Sequence, residues 1–262
     1  MYLSITLMVT DITQIPVQRR CASVSSSVYE LEHHVVYIGH SSILLLHDQN
    51  HLLPVTSESR GLVPSGITVL DKDFPDLCRY IYGLTNLIPA AALPTINTAS
   101  SFDLAVPQLG SDQDYYRRLY DYVQGNNPQA HKLAKYALAE GRFDRLLGLG
   151  EGSTPTGDDI LSGMLAGAQS LSNPQEVHAI WNTIAPLLYR TTRISAHQLY
   201  YASLGQVSCS HLDLFKAILR KAGPSEISLI AADIGHTSGL DFLYGLSYQL
   251  YINQLQRSSY VI

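Results

Sequence analysis

The stretch Leu149-Gly150-Glu151-Gly152-Ser153-Thr154-Pro155-Thr156-Gly157-Asp158-Asp159 constrains the fold more than any other. Its glycines, Gly150, Gly152 and Gly157, permit backbone angles closed to other residues, and Pro155 pushes Thr154 towards an extended conformation. The segment is therefore a loop. Ile160-Leu161-Ser162-Gly163-Met164-Leu165-Ala166-Gly167 follows, small and apolar throughout, which predicts a buried helix. A glycine-rich loop that runs into a helix N-terminus brings unpaired N–H groups and partial positive charge to one place. Such a mouth suits an anion. It is not a phosphate-binding P-loop, because no Gly-Lys-Ser/Thr follows the glycines.

Thr154 and Thr156 are candidate caps for this helix. Asp158 and Asp159 fall in its first turn, where the helix dipole favours negative charge. Two readings stand side by side. In one, one Asp caps the helix and the other pairs with Arg190 or Arg193. In the other, the acidic pair serves a ligand, either holding Mg²⁺ with water and substrate oxygens or accepting hydrogen bonds from an amide. Two adjacent carboxylates exceed what a cap requires, which favours the second.

A looser form of the pattern recurs near the C-terminus. Thr237-Ser238-Gly239-Leu240-Asp241 also opens an apolar helix. A pseudo-symmetric pair of helix N-termini facing one site is one explanation, and the ordinary use of Ser, Gly and Asp at helix starts is the other. Asp241 is the third candidate carboxylate. His236, just before this segment, suits acid–base work near neutral pH. Between the two lies Arg193-Ile194-Ser195-Ala196-His197, where Arg193 can clasp a carboxylate or phosphate. Ser195 and Ser238 lie in no Gly-x-Ser-x-Gly elbow, so neither is read as a nucleophile.

Three stretches taken together resemble a bacterial domain-of-unknown-function family typified by the AllH subunit of oxamate carbamoyltransferase. They are Gly150 to Leu165, Arg193 to Gly205, and Ile234 to Gly245, in the family's order. Ser153 stands where many relatives carry an apolar residue, and the N-terminal half is similar only in general character. The resemblance implies a subunit of a complex in allantoin catabolism that moves a carbamoyl group between oxamate and phosphate. It implies FdrA-type and AllG-like partner subunits, and carbamoyl phosphate or oxamate as ligand. On this reading Asp158, Asp159 and His236 polarise or position the carbamoyl group. Gly150, Gly152, Thr154, Thr156, Gly157, Arg193, Ser195, Thr237, Ser238, Gly239 and Asp241 line the site. No cofactor is certain, and Mg²⁺ at Asp158 and Asp159 is the one considered. The chain has no Ser-Thr-Arg phosphate motif of ordinary carbamoyltransferases. The rival is a non-enzymatic small-molecule-binding or scaffold subunit.

Composition limits the alternatives. A formal net charge of −5 with no basic run argues against nucleic acid as partner. No apolar run is long enough to span a bilayer. Met1 to Met8 reads as a first strand rather than a signal peptide, since no basic residues precede its apolar run. Cys21, Cys78 and Cys209 form neither a metal pattern nor a disulfide framework, which suits a reducing cytoplasm. The 17 tyrosines suit a surface covered by another subunit.

The expected fold is α+β, with a β-rich domain over residues 1–109 and a helical domain over 110–262. Strands are predicted at Ser23–Tyr29, Val35–Ile38, Ile43–His47, Leu52–Val55 and Ile67–Leu70, forming a small antiparallel sheet or barrel. Ile43 to Leu53 reads as a hairpin. Phe74–Tyr82 is a short helix, and proline-rich Ile88–Pro107 a connection or edge strand. His33, His34, His40, His47 and His51 read as strand-face and turn residues. Helices are expected over 113–124, 129–141, from Pro174, 195–205, 210–221, 225–233, and from Gly239 to about Gln256.

Overall fold

The computed structural model describes residues 17–21, 32–46, 52–84, 87, 88, 93, 94 and 99–259. The chain divides into two compact units, Met1–Leu104 and Ala105–Ile262. The strands expected at Met1–Met8 and Ser23–Tyr29 lie outside the described residues, as does the turn of the Ile43–Leu53 hairpin.

Among the described residues, the first unit forms a seven-stranded sheet. Its strands are β1 (Val17–Cys21), β2 (His33–Ile38), β3 (Ser42–Leu46), β4 (Leu52–Ser57), β5 (Ile67–Val69), β6 (Leu87–Ile88) and β7 (Ser100–Phe102). Their order is β6-β2-β3-β4-β5-β1-β7, so the sheet is open rather than a barrel. It is also mixed rather than antiparallel. β4 pairs with β5, and β1 with β7, in parallel. The short strands were legible from their apolar runs, but direction depends on how connections cross. β4 and β5 are joined by residues 58–66, which include a 3-10 turn at Glu58–Arg60. β4 is buried at every position, as a central strand must be. β6 and β7, both from the proline-rich stretch, take the two edges. Helix α1 (Phe74–Gly83) buries Phe74, Leu77 and Ile81. Buried His33 and exposed His34 alternate along β2, and His40 sits in the following turn.

The second unit is helical. It contains α2 (Gln113–Asn126), α3 (Pro128–Ala139), α4 (Thr156–Ser170), α5 (Pro174–Ile184), α6 (Arg193–Ser203), α7 (Cys209–Leu219), α8 (Pro224–Ala232) and α9 (Ser238–Ser259). Short polar side chains cap several of them. Asp112 accepts from the Tyr115 N–H at 3.1 Å, Asn127 from Ala130 at 3.2 Å, and Asn173 from Glu176 at 3.2 Å. None of the described helices is long and apolar enough to cross a membrane.

Helices α4 and α9 form the centre of this unit. Nearly every position of α4 is buried, so it has no polar face. Its glycines explain how α9 comes so close. A Cβ on Gly163 would collide with the Phe242 carbonyl oxygen, and one on Gly245 with the Ile160 carbonyl oxygen. The two helices therefore touch backbone to backbone at reciprocal points. Larger buried side chains of the two helices, including Ile160, Met164 and Leu246, pack around these points.

Candidate functional site

The reciprocity extends to the N-termini of α4 and α9. Thr156, Gly157, Asp159 and Gly163 correspond to Ser238, Gly239, Asp241 and Gly245, each pair 82 positions apart (238 minus 156, 245 minus 163). The hydrogen bonds cross between the helices. Thr156 Oγ1 donates to Asp241 Oδ2 at 2.9 Å. The Ser238 hydroxyl in turn acts on the Asp159 carboxyl, lowering its pKa. Thr154 Oγ1 and Ser238 Oγ share a hydrogen bond of 2.7 Å. The echo between the two stretches is thus a physical pairing of helix mouths. It also corrects the expectation that Thr154 or Thr156 caps α4. The residue at the cap position is Pro155, which has no side-chain donor or acceptor, and both hydroxyls are spent on α9.

The two neighbouring aspartates have different surroundings. Asp158 Oδ1 accepts the Gly148 N–H at 2.7 Å, and Oδ2 accepts the Thr191 hydroxyl. It ties the preceding loop and the entry to α6 onto α4. It neither caps α4 nor pairs with Arg190, whose guanidinium donates to the Asp144 carbonyl, nor with exposed Arg193. Thr192 adds a second tie by donating to the Ser153 carbonyl at 2.6 Å.

Asp159 is only 5% exposed, and its Oδ2 is buried with no hydrogen-bond partner. Burial pushes its pKa up to about 8, aided by the nearby Asp241 and Asp158 carboxyls and opposed by the Ser238 and Thr154 hydroxyls. At neutral pH this side chain is mainly the uncharged acid. Asp241 is buried too, and burial raises its pKa, but its oxygens are occupied. Oδ1 accepts from Asn127 Nδ2 at 3.0 Å and Oδ2 from Thr156.

Asn127, Gly148 and Thr191 are contributors that sequence reasoning did not single out. Asn127 stands at the start of α3, just before Pro128. Its side chain caps α3 with one atom and holds Asp241 with the other. The second task is a tertiary contact with no local signal.

Of α4's first amides, Gly157 N–H bonds the Leu149 carbonyl at 2.8 Å, and Asp158 and Asp159 N–H bond the Pro155 carbonyl. These amides are turned inward rather than towards an anion. Gly157 is needed because a Cβ there would strike the Leu146 carbonyl, and Gly150, at φ 124°, because one would lie 2.7 Å from the Thr156 nitrogen. Gly152 is in open space at the exposed tip of the loop. Gly239 resembles Gly157 in lying against a carbonyl, that of Ala231.

Other candidates lie further out. His236 and Thr237 are exposed on the turn before α9, where the Thr237 carbonyl accepts the Asp241 N–H at 3.0 Å. Arg193 is exposed at the start of α6. Ser195, one turn in, is fully buried and its hydroxyl is unpartnered. Among the described residues, no group of three or more His, Cys, Asp or Glu side chains is arranged to hold a metal ion. Asp158 and Asp241 already use both oxygens, so the donors do not fit the Mg²⁺ considered from the sequence.

Residues 146–250 match the model of a family described as oxamate carbamoyltransferase subunit AllH. No curated protein and no solved structure matches the chain. The matched residues hold the glycine-rich loop, α6, both helix mouths and the seam between α4 and α9. Over that stretch the chain is AllH-like.

Proposed function

We propose that this chain is a subunit of an oxamate-carbamoyltransferase-like complex of allantoin nitrogen catabolism, with a carbamoyl-group site at the paired mouths of α4 and α9. The observation that carries the reading is the family match. It begins at the loop before α4 and ends within α9, so it covers the elements that meet at Asp159 and Asp241. The surrounding chemistry favours a carbamoyl group over a bare anion. The amides of Gly157, Asp158 and Asp159 are internally bonded, whereas hydroxyls and an uncharged carboxyl converge at the mouth. Transfer of a carbamoyl group develops charge on its oxygen, and placed donors stabilise that charge.

On this reading FdrA-type and AllG-like subunits supply what this chain lacks, including contacts to phosphate. Asp158 and Thr191 set the loop, Asp159 meets the carbamoyl group, and exposed His236 and Arg193 face a partner or the carboxylate end of oxamate. The rival reading, a non-enzymatic scaffold subunit, draws on the complete internal bonding of Asp158. Co-expression with the two partner types, followed by size-exclusion chromatography and a carbamoyl-transfer assay on the pooled complex, tests the proposal. Co-elution with activity that falls on Asp159→Leu is expected. Separate elution of all three chains would count against it. An assembled complex whose activity ignores Asp159 would favour the scaffold.

A further inference from the structure

We propose that Asp159, as an uncharged carboxylic acid, receives a primary carboxamide edge: its O–H donates to the amide oxygen while its carbonyl accepts an amide N–H. This rests on the reading above, that the mouths of α4 and α9 form the ligand site, and goes beyond it by naming the recognition chemistry and its pH dependence.

The geometry carries the inference. Asp159 Oδ2 is a buried polar atom with nothing to bond, a costly arrangement that calls for a partner. Its symmetry mate, Asp241, has no such vacancy, because Asn127 and Thr156 donate to its two oxygens. Two carboxyls on reciprocal scaffolds are thus divided in role, one satisfied by the protein and one left for a ligand. Thr154 and Ser238 are only half-buried, and the loop tip, His236 and Thr237 are exposed. A ligand enters by replacing the hydrogen bond between Thr154 and Ser238, and both hydroxyls then become available to it.

An uncharged acid and a primary amide are complementary, since each offers one donor and one acceptor on the same edge. A carboxylate ligand lacks the donor and adds a third negative group beside Asp158 and Asp241, the charged groups that act on Asp159. The other charged or titratable groups on the adjoining segments are Glu151 on the loop, Arg190 and Arg193 ahead of and at the start of α6, exposed Asp233 after α8, and His236 before α9. Glu151, Arg190, Arg193 and His236 are all exposed. Ionisation of Asp159 removes the donor, so binding of an amide weakens as pH passes about 8.

Calorimetry on the full chain with oxamate and with oxalate, at about pH 6 and about pH 9, tests this. Oxamate is expected to bind at the lower pH, and oxalate about tenfold or more weakly, since a site built for an N–H rejects a ligand that lacks it. Oxamate should weaken about tenfold at the higher pH, where roughly a tenth of Asp159 keeps its proton. Asn offers the same donor and acceptor without a charge. Asp159→Asn should therefore bind oxamate within about threefold of wild type at both pH values, and Asp159→Leu should lose it.

Equal binding of oxalate, or loss of oxamate binding in a folded Asp159→Asn, would overturn the proposal. So would a folded wild-type chain that binds no oxamate at the lower pH. Assembly is scored separately. A chain that joins its partners yet binds no oxamate sinks the amide pairing and spares the subunit reading. One that binds oxamate but elutes alone does the reverse.

Discussion

The mouths of α4 and α9 are built on one pattern and finished differently. Both start with a hydroxyl residue, a glycine lying against a carbonyl, an aspartate two positions on, and a second glycine at the seam. At the α4 mouth the surrounding chain is bound down by Asp158, Thr191 and Thr192. At the α9 mouth the preceding turn leaves His236 and Thr237 in solvent. The carboxyls divide the opposite way. Asp241, at the looser mouth, has both oxygens occupied, and Asp159, at the tighter one, has an oxygen with no partner. Repetition of a scaffold therefore fixes position, while neighbours set protonation. This is how environment separates paired carboxyls into distinct roles.

The largest effect is expected where the two halves touch. Gly163→Ala or Gly245→Ala places a methyl group against a backbone carbonyl that cannot step aside. Each should destabilise the helical unit by on the order of 3 kcal/mol, the cost of overpacking a tight contact. Urea denaturation followed by circular dichroism measures it. Wild-type stability in both variants would mean that the helices are not in backbone contact.

The next effect separates Asp158 from its neighbour. Asp158→Ala leaves the Gly148 N–H and the Thr191 hydroxyl without their acceptor and should cost about 2–3 kcal/mol. Thr191→Val should cost less, because only one of the two bonds is lost. Proteolysis rates in the 148–153 loop offer a second readout, expected to rise in both variants. An Asp158→Ala chain as stable as wild type would remove the proposed tether.

A smaller effect probes the α9 mouth. Asn127→Ala removes both the α3 cap and the amide donor to Asp241, and is expected to cost about 1–2 kcal/mol. Asn127→Ser restores the cap but not the reach to Asp241. It should recover about half of that loss, as thermal unfolding can show. Full recovery by Ser would mean that the bond to Asp241 contributes nothing.

Much of this was legible beforehand, and for identifiable reasons. Loop, helix and recurrence were readable because glycine, proline and short polar residues act locally. The helix starts at Asp112 and Asn173 follow the same logic. Other features depend on partners far away in sequence. Asn127 and Asp241 are 114 positions apart, and Thr191 and Asp158 are 33 apart. No local pattern marks such pairs. The two aspartates looked equivalent, since adjacent residues on a helix share composition but not surroundings. Their difference emerges only when α6 and α9 are in place. In the sheet, the short runs marked strands, but the parallel pairings of β4 with β5 and β1 with β7 depend on chain crossings that composition does not encode.

The central claim is that Asp159 is buried as an uncharged acid while Asp158 is a tether. Its pH signature has a definite sign. The unfolded Asp159 titrates near 3.8 and the folded one near 8, so between these values the folded chain holds the extra proton. Stability therefore falls as pH rises through that window and levels off above it. Asp159→Asn cannot ionise and escapes this loss.

The direct measurement is the midpoint of thermal unfolding for wild type, Asp159→Asn and Asp158→Asn at about pH 5 and about pH 8.5. The melting point of Asp159→Asn relative to wild type should rise by several degrees from the lower pH to the higher, at roughly 2–4 °C per kcal/mol for a chain of this size. Asp158→Asn should fall below wild type at both. If Asp159→Asn is instead destabilised at the higher pH as much as Asp158→Asn, the account of the two mouths is contradicted.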